Sequence, residues 1–139
     1  MPAPPAAGRR NDGNRTLSEE KRPWPLEIRL SKDRKTLTVR FDDGADFELS
    51  AEYLRVLSPS AEVQGHSRDQ RVTVPGKIEV AISAIDPVGN YAVRLTFSDG
   101  HNTGIFSWSY LRRLGEDNEA LWQEYLGELA AKGLSRGSL

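Results

Sequence analysis

The sequence predicts an α+β fold, mainly antiparallel β-sheet, with two related hairpin–helix units and a C-terminal helix. Three observations predict it. Apolar residues alternate at period two in several segments between Leu26 and Phe106, the spacing of half-buried strands. Asp-Gly pairs recur at 43–44 and 99–100, and glycine there accepts the positive φ that tight hairpin turns require. Near the C-terminus, Leu121, Trp122, Tyr125, Leu126 and Leu129 share one face at three-four spacing, the mark of an amphipathic helix.

Taken in order, residues 1–22 are rich in Pro, Ala, Gly, Arg and Asn. They bury too little apolar surface to offset ordering entropy and are expected to be a disordered tail. The folded domain is expected over residues 23–133, opening at Trp24-Pro25, with a flexible C-terminus over 134–139. Leu26, Ile28 and Leu30 alternate with Glu27 and Arg29 as a first strand, and Ser31–Lys35 is a polar turn. Leu37, Val39 and Phe41 form a second strand, and Phe47 and Leu49 lie on a third beyond Asp43-Gly44. Ser50 is placed to cap a short helix over 51–57, which Pro59 helps to end. Residues 58–71 read as a polar loop, and Val72 and Val74 as an extended stretch before the Pro75-Gly76 turn. Alternation at Ile78, Val80 and Ile82 predicts a strand, and 86–90 (Asp-Pro-Val-Gly-Asn) a turn. Strands over 92–97 and 103–106 flank Asp99-Gly100, and Ser107 caps a helix through Leu114. The C-terminal helix has acidic Glu116, Asp117 and Glu119 near its start, which suits the helix dipole, and Gly133 to terminate it.

Two stretches repeat. LTVRFDDGADFELSAEYLRVL (37–57) and VRLTFSDGHNTGIFSWSYLRRL (93–114) both read strand, Phe-x-Asp-Gly, strand, Ser, then Tyr-Leu-Arg-x-Leu, the second one residue longer. Features common to both copies are explained by folding, so the functional candidates are the differences. His101 is one, because Ala45 occupies the matching place. Trp108 and the Asn102-Thr103-Gly104 stretch are others. Set against Glu52 of the first copy, Trp108 is expected to be exposed.

Composition narrows the function classes. The chain has 139 residues, 28% charged and 37% hydrophobic, with a formal net charge of -1 and a pI near 6.1. That is an ordinary globular profile, without the high pI of a strongly basic nucleic-acid binder. No cysteine is present, which removes disulfides, thiolate metal sites and cysteine nucleophiles. No apolar run approaches the roughly 20 residues that span a bilayer, and the N-terminus lacks an apolar signal-peptide core, so a cytoplasmic protein is expected. No nucleophile elbow and no Gly-Lys-Ser/Thr phosphate loop is found.

The run IDPVGNYAVRLTFSDGHNTGIFSWSYLRRL (85–114), with WPLEIRLSKDRKTLTVRFDDG (24–44) and SAEYLRVLSPSAE (50–62) before it, resembles the gamma-butyrobetaine hydroxylase-like N-terminal domain family, also called DUF971. The resemblance covers about residues 24–115. It implies a mostly β accessory domain, found at the N-terminus of certain 2-oxoglutarate-dependent hydroxylases, as small bacterial proteins, and attached to P-loop ATPases linked to iron–sulfur cluster delivery. In the hydroxylases this domain holds zinc through three cysteines and a histidine, in a Cys-Pro-Cys-x-x-Cys pattern after the first Leu-Arg helix. Here Ser58, Ser60 and Val63 stand at the cysteine positions, and His101 matches the histidine. A hydroxyl is a poor substitute for a thiolate, so the zinc site is expected to be absent and no cofactor is expected.

The leading expectation is a non-catalytic, protein-binding accessory domain linked to iron–sulfur protein maturation or a dioxygenase-like partner. Trp108, Tyr110 and Arg112 are the candidate contact residues, since aromatic and Arg side chains dominate interface hot spots; Trp24 and Phe106 are further anchors. Two alternatives stand beside it. His101 and His66, with Glu62, Asp69 or Asp99, are a candidate metal site of imidazoles and carboxylates. Arg29, Lys32, Arg34, Lys35 and Arg40 cluster on the first hairpin, a candidate phosphate-contacting face for RNA or DNA.

Overall fold

The structure, a computed structural model, describes residues 24–65 and 71–137. The predicted tail, and loop residues His66 and Asp69, lie outside the described residues. Three strands, β1 (Pro25–Leu30), β2 (Thr36–Phe41) and β3 (Asp46–Ser50), form one antiparallel sheet in the order β1-β2-β3. Helix α1 (Ala51–Val56) follows directly, then the single turn α2 (Ala61–Gln64). A second antiparallel sheet, β4-β5-β6, consists of β4 (Ile82–Val88), β5 (Ala92–Phe97) and β6 (Ile105–Ser107). Helices α3 (Trp108–Glu116) and α4 (Asn118–Ala131) complete the chain. The α+β architecture predicted from the alternation and the turns is the one observed.

The period-two residues face a shared core. Leu37, Val39 and Phe41 of β2, Val93, Leu95 and Phe97 of β5, Leu49 of β3 and Phe106 of β6 are all buried. Covering each such side chain stabilises by about 1.5–3 kcal/mol. Tyr53 and Leu54 of α1, Leu111 and Leu114 of α3, and Tyr125 and Leu129 of α4 join the same cluster. Trp122 of α4 packs 6.2 Å from the Tyr53 ring, as the helix's apolar stripe predicts.

Three segments differ from the sequence expectation: 58–71, 78–82 and 86–90. The alternation at 78–82 is not a strand: Val80 N–H closes a turn on Lys77 O, and β4 begins at Ile82 and runs through Asp86-Pro87. Pro87 is tolerated because β4 is an edge strand, where a missing N–H leaves no ladder bond unmade. The 58–71 loop contains α2, which buries Val63. Past Gly133, residues 134–137 return along 76–78, with Gly76 N–H on Ser135 O and Ile78 N–H on Arg136 O. Arg136 also grips the buried Glu52 through two bonds of 2.9 and 2.8 Å.

The internal repeat is longer in space than in sequence. Both β1 and β4 carry a register shift at the same place, between Pro25 and Glu27 and between Ile82 and Ala84. Trp24 N–H bonds Asp42 Oδ1, and Ala81 N–H bonds Ser98 Oγ in the matching position. Ser50 and Ser107 cap α1 and α3 through Tyr53 N–H and Tyr110 N–H. Each unit is therefore three strands and a helix, residues 24–57 and 81–114.

The two units hold each other by reciprocal bonds. Tyr53 Oη donates to Leu114 O at 2.7 Å, and Tyr110 Oη donates to Leu57 O at 2.6 Å. Each hydroxyl thus satisfies a carbonyl at the end of the other unit's helix, where backbone acceptors lack helical partners. Arg55 of the first unit meets Asp99 of the second at 2.8 Å, and Arg112 of the second meets Asp43 of the first at 3.0 and 2.9 Å. These are the contacts of a pseudo-two-fold arrangement.

Candidate functional site

The Asp-Gly turns place His101. In the first, Gly44 has φ +94°, Phe41 N–H bonds Ala45 O, and Ala45 N–H bonds Asp43 Oδ1 at 3.1 Å. In the second, Gly100 has φ +92°, Phe97 N–H bonds His101 O, and His101 N–H bonds Asp99 Oδ1 at 3.1 Å. The imidazole then points inward and is 9% exposed. Its Nδ1 lies 3.1 Å from Glu62 Oε1, and its Nε2 lies 3.0 Å from Ser58 Oγ and 3.4 Å from Ser60 Oγ. A carboxylate only accepts, so the satisfied tautomer carries its proton on Nδ1 and takes a serine hydroxyl at Nε2. Burial, followed by the nearby Arg55 charge, holds the imidazole pKa below its ordinary value despite Glu62 and Asp99.

Ser58, His101 and Glu62 have the connectivity of a nucleophile, a base and an orienting carboxylate. Their surroundings oppose that use. Ser58 is fully buried, and its Oγ accepts the Ser60 N–H at 3.3 Å. A Cβ on Gly104 would stand 2.3 Å from the same Oγ. The β6 approach therefore covers the hydroxyl, leaving no face for an acyl carbon to reach.

The family resemblance puts Ser58, Ser60, Val63 and His101 at zinc-ligand positions, and the chemistry of this set does not fit the ion. Two neutral hydroxyls and the apolar side chain of Val63 replace three thiolates, and Nε2 is engaged with serine. Among the described residues, no group of three or more His, Cys, Asp or Glu is arranged to hold a metal. His101 and Glu62 come together; Asp99 turns instead to Arg55 and Lys77. The structure does not describe His66 and Asp69.

The pseudo-symmetry explains why a histidine is here. Gly104 precedes β6 where Phe47 lies in β3, because Leu95 N–H reaches Gly104 O while Val39 pairs with Phe47. Ser58 follows α1 at the place that Gly115 takes in the last turn of α3. A Cβ on Gly115 would fall 2.4 Å from the Phe47 ring. The first unit's turn thus combines Ala45 with Phe47, and the second combines His101 with Gly104. The Phe41–Phe47 and Phe97–His101 ring centroids are each 6.0 Å apart. The imidazole fills the place of a ring that the glycine gives up.

Of the three candidate contact residues, each has an internal task. Tyr110 bonds Leu57 O; Arg112 pairs with Asp43 and with Glu116 at 2.6 Å and lies over the Phe41 and Phe47 rings. Trp108 is half-buried, donates Nε1 to Asn90 O at 2.9 Å, and packs edge-on against Trp24. Its counterpart is Ala51, since both follow the capping serine; the expected pairing with Glu52 was one residue out, and Glu52 is itself buried. Phe106 is core. Trp24 is 46% exposed and Leu26 61%, and with Trp108 and Ile28 they border a groove of about 360 Å3. On the first hairpin, Arg29 pairs with Glu27, Lys35 with Glu79, and Arg34 with Ser83 O. These partners offset much of the positive face read from sequence.

Sequence reading missed Arg55, Lys77 and Asp99 as a cluster. Asp99 Oδ2 receives Arg55 Nε at 2.8 Å and Lys77 Nζ at 2.6 Å. Burial raises the Asp99 pKa, but hydrogen bonds from Lys77, the His101 N–H and Arg55 outweigh it and bring it to about 2. The signal available in the sequence was the Arg55/Arg112 correspondence, combined with the absence of a second Glu116.

Comparison with known proteins fits this geometry. The family described as gamma-butyrobetaine hydroxylase-like, N-terminal, matches residues 28–112. Two proteins solved by solution NMR are 46% and 45% identical, with TM-scores of 0.72 and 0.74; the matches cover 83% and 88% of this chain and 90% and 91% of theirs. A crystal structure of a protein of unknown function from Acidithiobacillus ferrooxidans, a DUF971 family member, is 46% identical with a TM-score of 0.54, covering 66% of this chain and 91% of that one. No curated protein matches. Among the described residues, no helix is long and apolar enough to cross a membrane. With its motifs matched over both hairpin–helix units, the chain belongs to the gamma-butyrobetaine hydroxylase-like N-terminal domain family, DUF971.

Proposed function

We propose that this is a non-catalytic accessory domain of the cytoplasm that binds another protein, linked to iron–sulfur protein maturation or to a dioxygenase-like partner. The observation that carries the reading is the exposed apolar groove at Trp24, Leu26 and Trp108. Leu26 lies on edge strand β1 and is exposed. The interior engagement of His101, whose two ring nitrogens meet Glu62 and Ser58, supports a structural rather than chemical role for the one described histidine. The partner class comes from the family resemblance alone.

The test uses the tagged full chain and its Leu26→Arg variant to capture partners from native extract. Leu26→Arg should change stability by no more than about 0.5 kcal/mol, as for exposed positions. A protein retained by the native chain should be lost with the variant, because a charge placed in an apolar contact is poorly paired. Equal capture by both would refute this groove as the contact surface.

A further inference from the structure

The Arg55 side of the molecule carries a difference from its symmetric counterpart that points to a ligand. Arg112 is satisfied by two carboxylates: Asp43 takes Nη1 and Nη2, and Glu116, one turn further along α3, takes Nε. In the first unit the residue one turn beyond Arg55 is Pro59, which offers no side-chain acceptor. Arg55 has only Asp99, through Nε, and shares that oxygen with Lys77. Its Nη1 is buried and has no hydrogen-bond partner, alone in this among the buried side-chain polar atoms of the described residues. An unsatisfied buried guanidinium N–H is costly and calls for an explanation.

Beside this guanidinium lies a cavity of about 420 Å3. Arg55, Lys77, Asn102 and Thr103 line its polar side, and Val63, Val72 and Val74 line an apolar side. Two carboxylates also border it. Asp99 is occupied by both cations and by the His101 N–H, and Glu62, on the loop side, is occupied by His101 and Thr103. We propose that this cavity binds a carboxylate with a short aliphatic body, its oxygens seated by the Arg55 and Lys77 side chains that line it. The valines take the hydrocarbon, and charge-assisted bonds to a guanidinium and an ammonium are the strong kind. The site is separate from the Trp24–Leu26 groove, so it stands or falls apart from the protein-binding reading.

The experiment is an NMR titration of the isotope-labelled full chain. The probes are glutarate, as a small aliphatic acid, and a blocked peptide bearing one glutamate side chain; glutaramide, the uncharged analogue, is the control. Saturable shifts centred on the Gly100–Thr103 amides and on Arg55 Nε–H are expected with a carboxylate probe and absent with glutaramide. A response to glutarate alone identifies a small-molecule site, and a response to the peptide identifies an acidic side chain as the source. Lys77→Gln should weaken binding about tenfold. Glu62→Gln, which keeps the acceptor facing His101, should tighten it by removing a like charge. The proposal is overturned if neither carboxylate shifts these resonances, if glutaramide binds equally, or if both variants bind as the native chain does.

Discussion

The two hairpin–helix units build the same backbone around opposite interiors. In the first, the turn is sealed by apolar means: the Phe47 ring lies on Gly115, and Arg112 covers that ring with its charges fully paired. In the second, the matching place holds His101, two serines and an incompletely paired arginine. The backbone bonds that define the turns are alike in both, so they do not distinguish a working site from a scaffold. The contrast lies in four exchanged side chains: Ala45 for His101, Phe47 for Gly104, Gly115 for Ser58, and Glu116 for Pro59.

The largest test of this comparison concerns what the halves have in common. Phe41→Ala and Phe97→Ala remove equivalent, fully buried rings. Each should cost about 3–5 kcal/mol, read from urea denaturation. A gap between them approaching the whole of that cost would break the equivalence of the two cores.

A smaller effect concerns the seal. Gly104→Ala drives a methyl against Ser58 Oγ, and Gly115→Ala drives one against Phe47. Each should destabilise by about 1–3 kcal/mol. Combining Gly104→Ala with Ser58→Gly, which copies Gly115, the small residue facing the first unit's turn, should recover part of the loss. Additive costs in that double variant would show that the two residues do not share one space.

The smallest effect belongs to the histidine. Its folded pKa lies below the unfolded value of about 6.5, so the unfolded chain binds the proton more readily. The stability this contributes is present above about pH 6.5 and lost as pH falls through the folded pKa. His101→Asn should flatten the dependence of the urea midpoint on pH between about 5 and 7. Ala45, at the matching place in the first unit, has no such group. An unchanged slope in the variant would remove His101 from the account.

Much of the architecture was legible because it is written in periods and turn residues. Strand parity, both Asp-Gly turns, both serine caps and the α4 stripe follow from local chemistry. The sequence repeat, however, covered only part of each unit. β1 and β4 correspond through backbone pairing and one side-chain-to-backbone bond apiece, while WPLEIRL and AISAIDP share little in residue type. Asp-Pro in β4 read as a turn, because the edge position that excuses a proline is a property of the sheet. The reciprocal Arg–Asp and Tyr–carbonyl bonds cross between units, so no local pattern announces them. Nor could spacing reveal that His101 stands in for a distant phenylalanine's counterpart, since that is a fact about volume.

The crossed tyrosines bear on where such a chain comes from. Each half carries the hydroxyl that finishes the other half's helix, so two separate copies of one short peptide could have made the same pair of bonds across a dimer axis. Within one chain the same pair of bonds ties a half whose turn is sealed by Phe47 on Gly115 to a half whose turn holds His101 and Ser58.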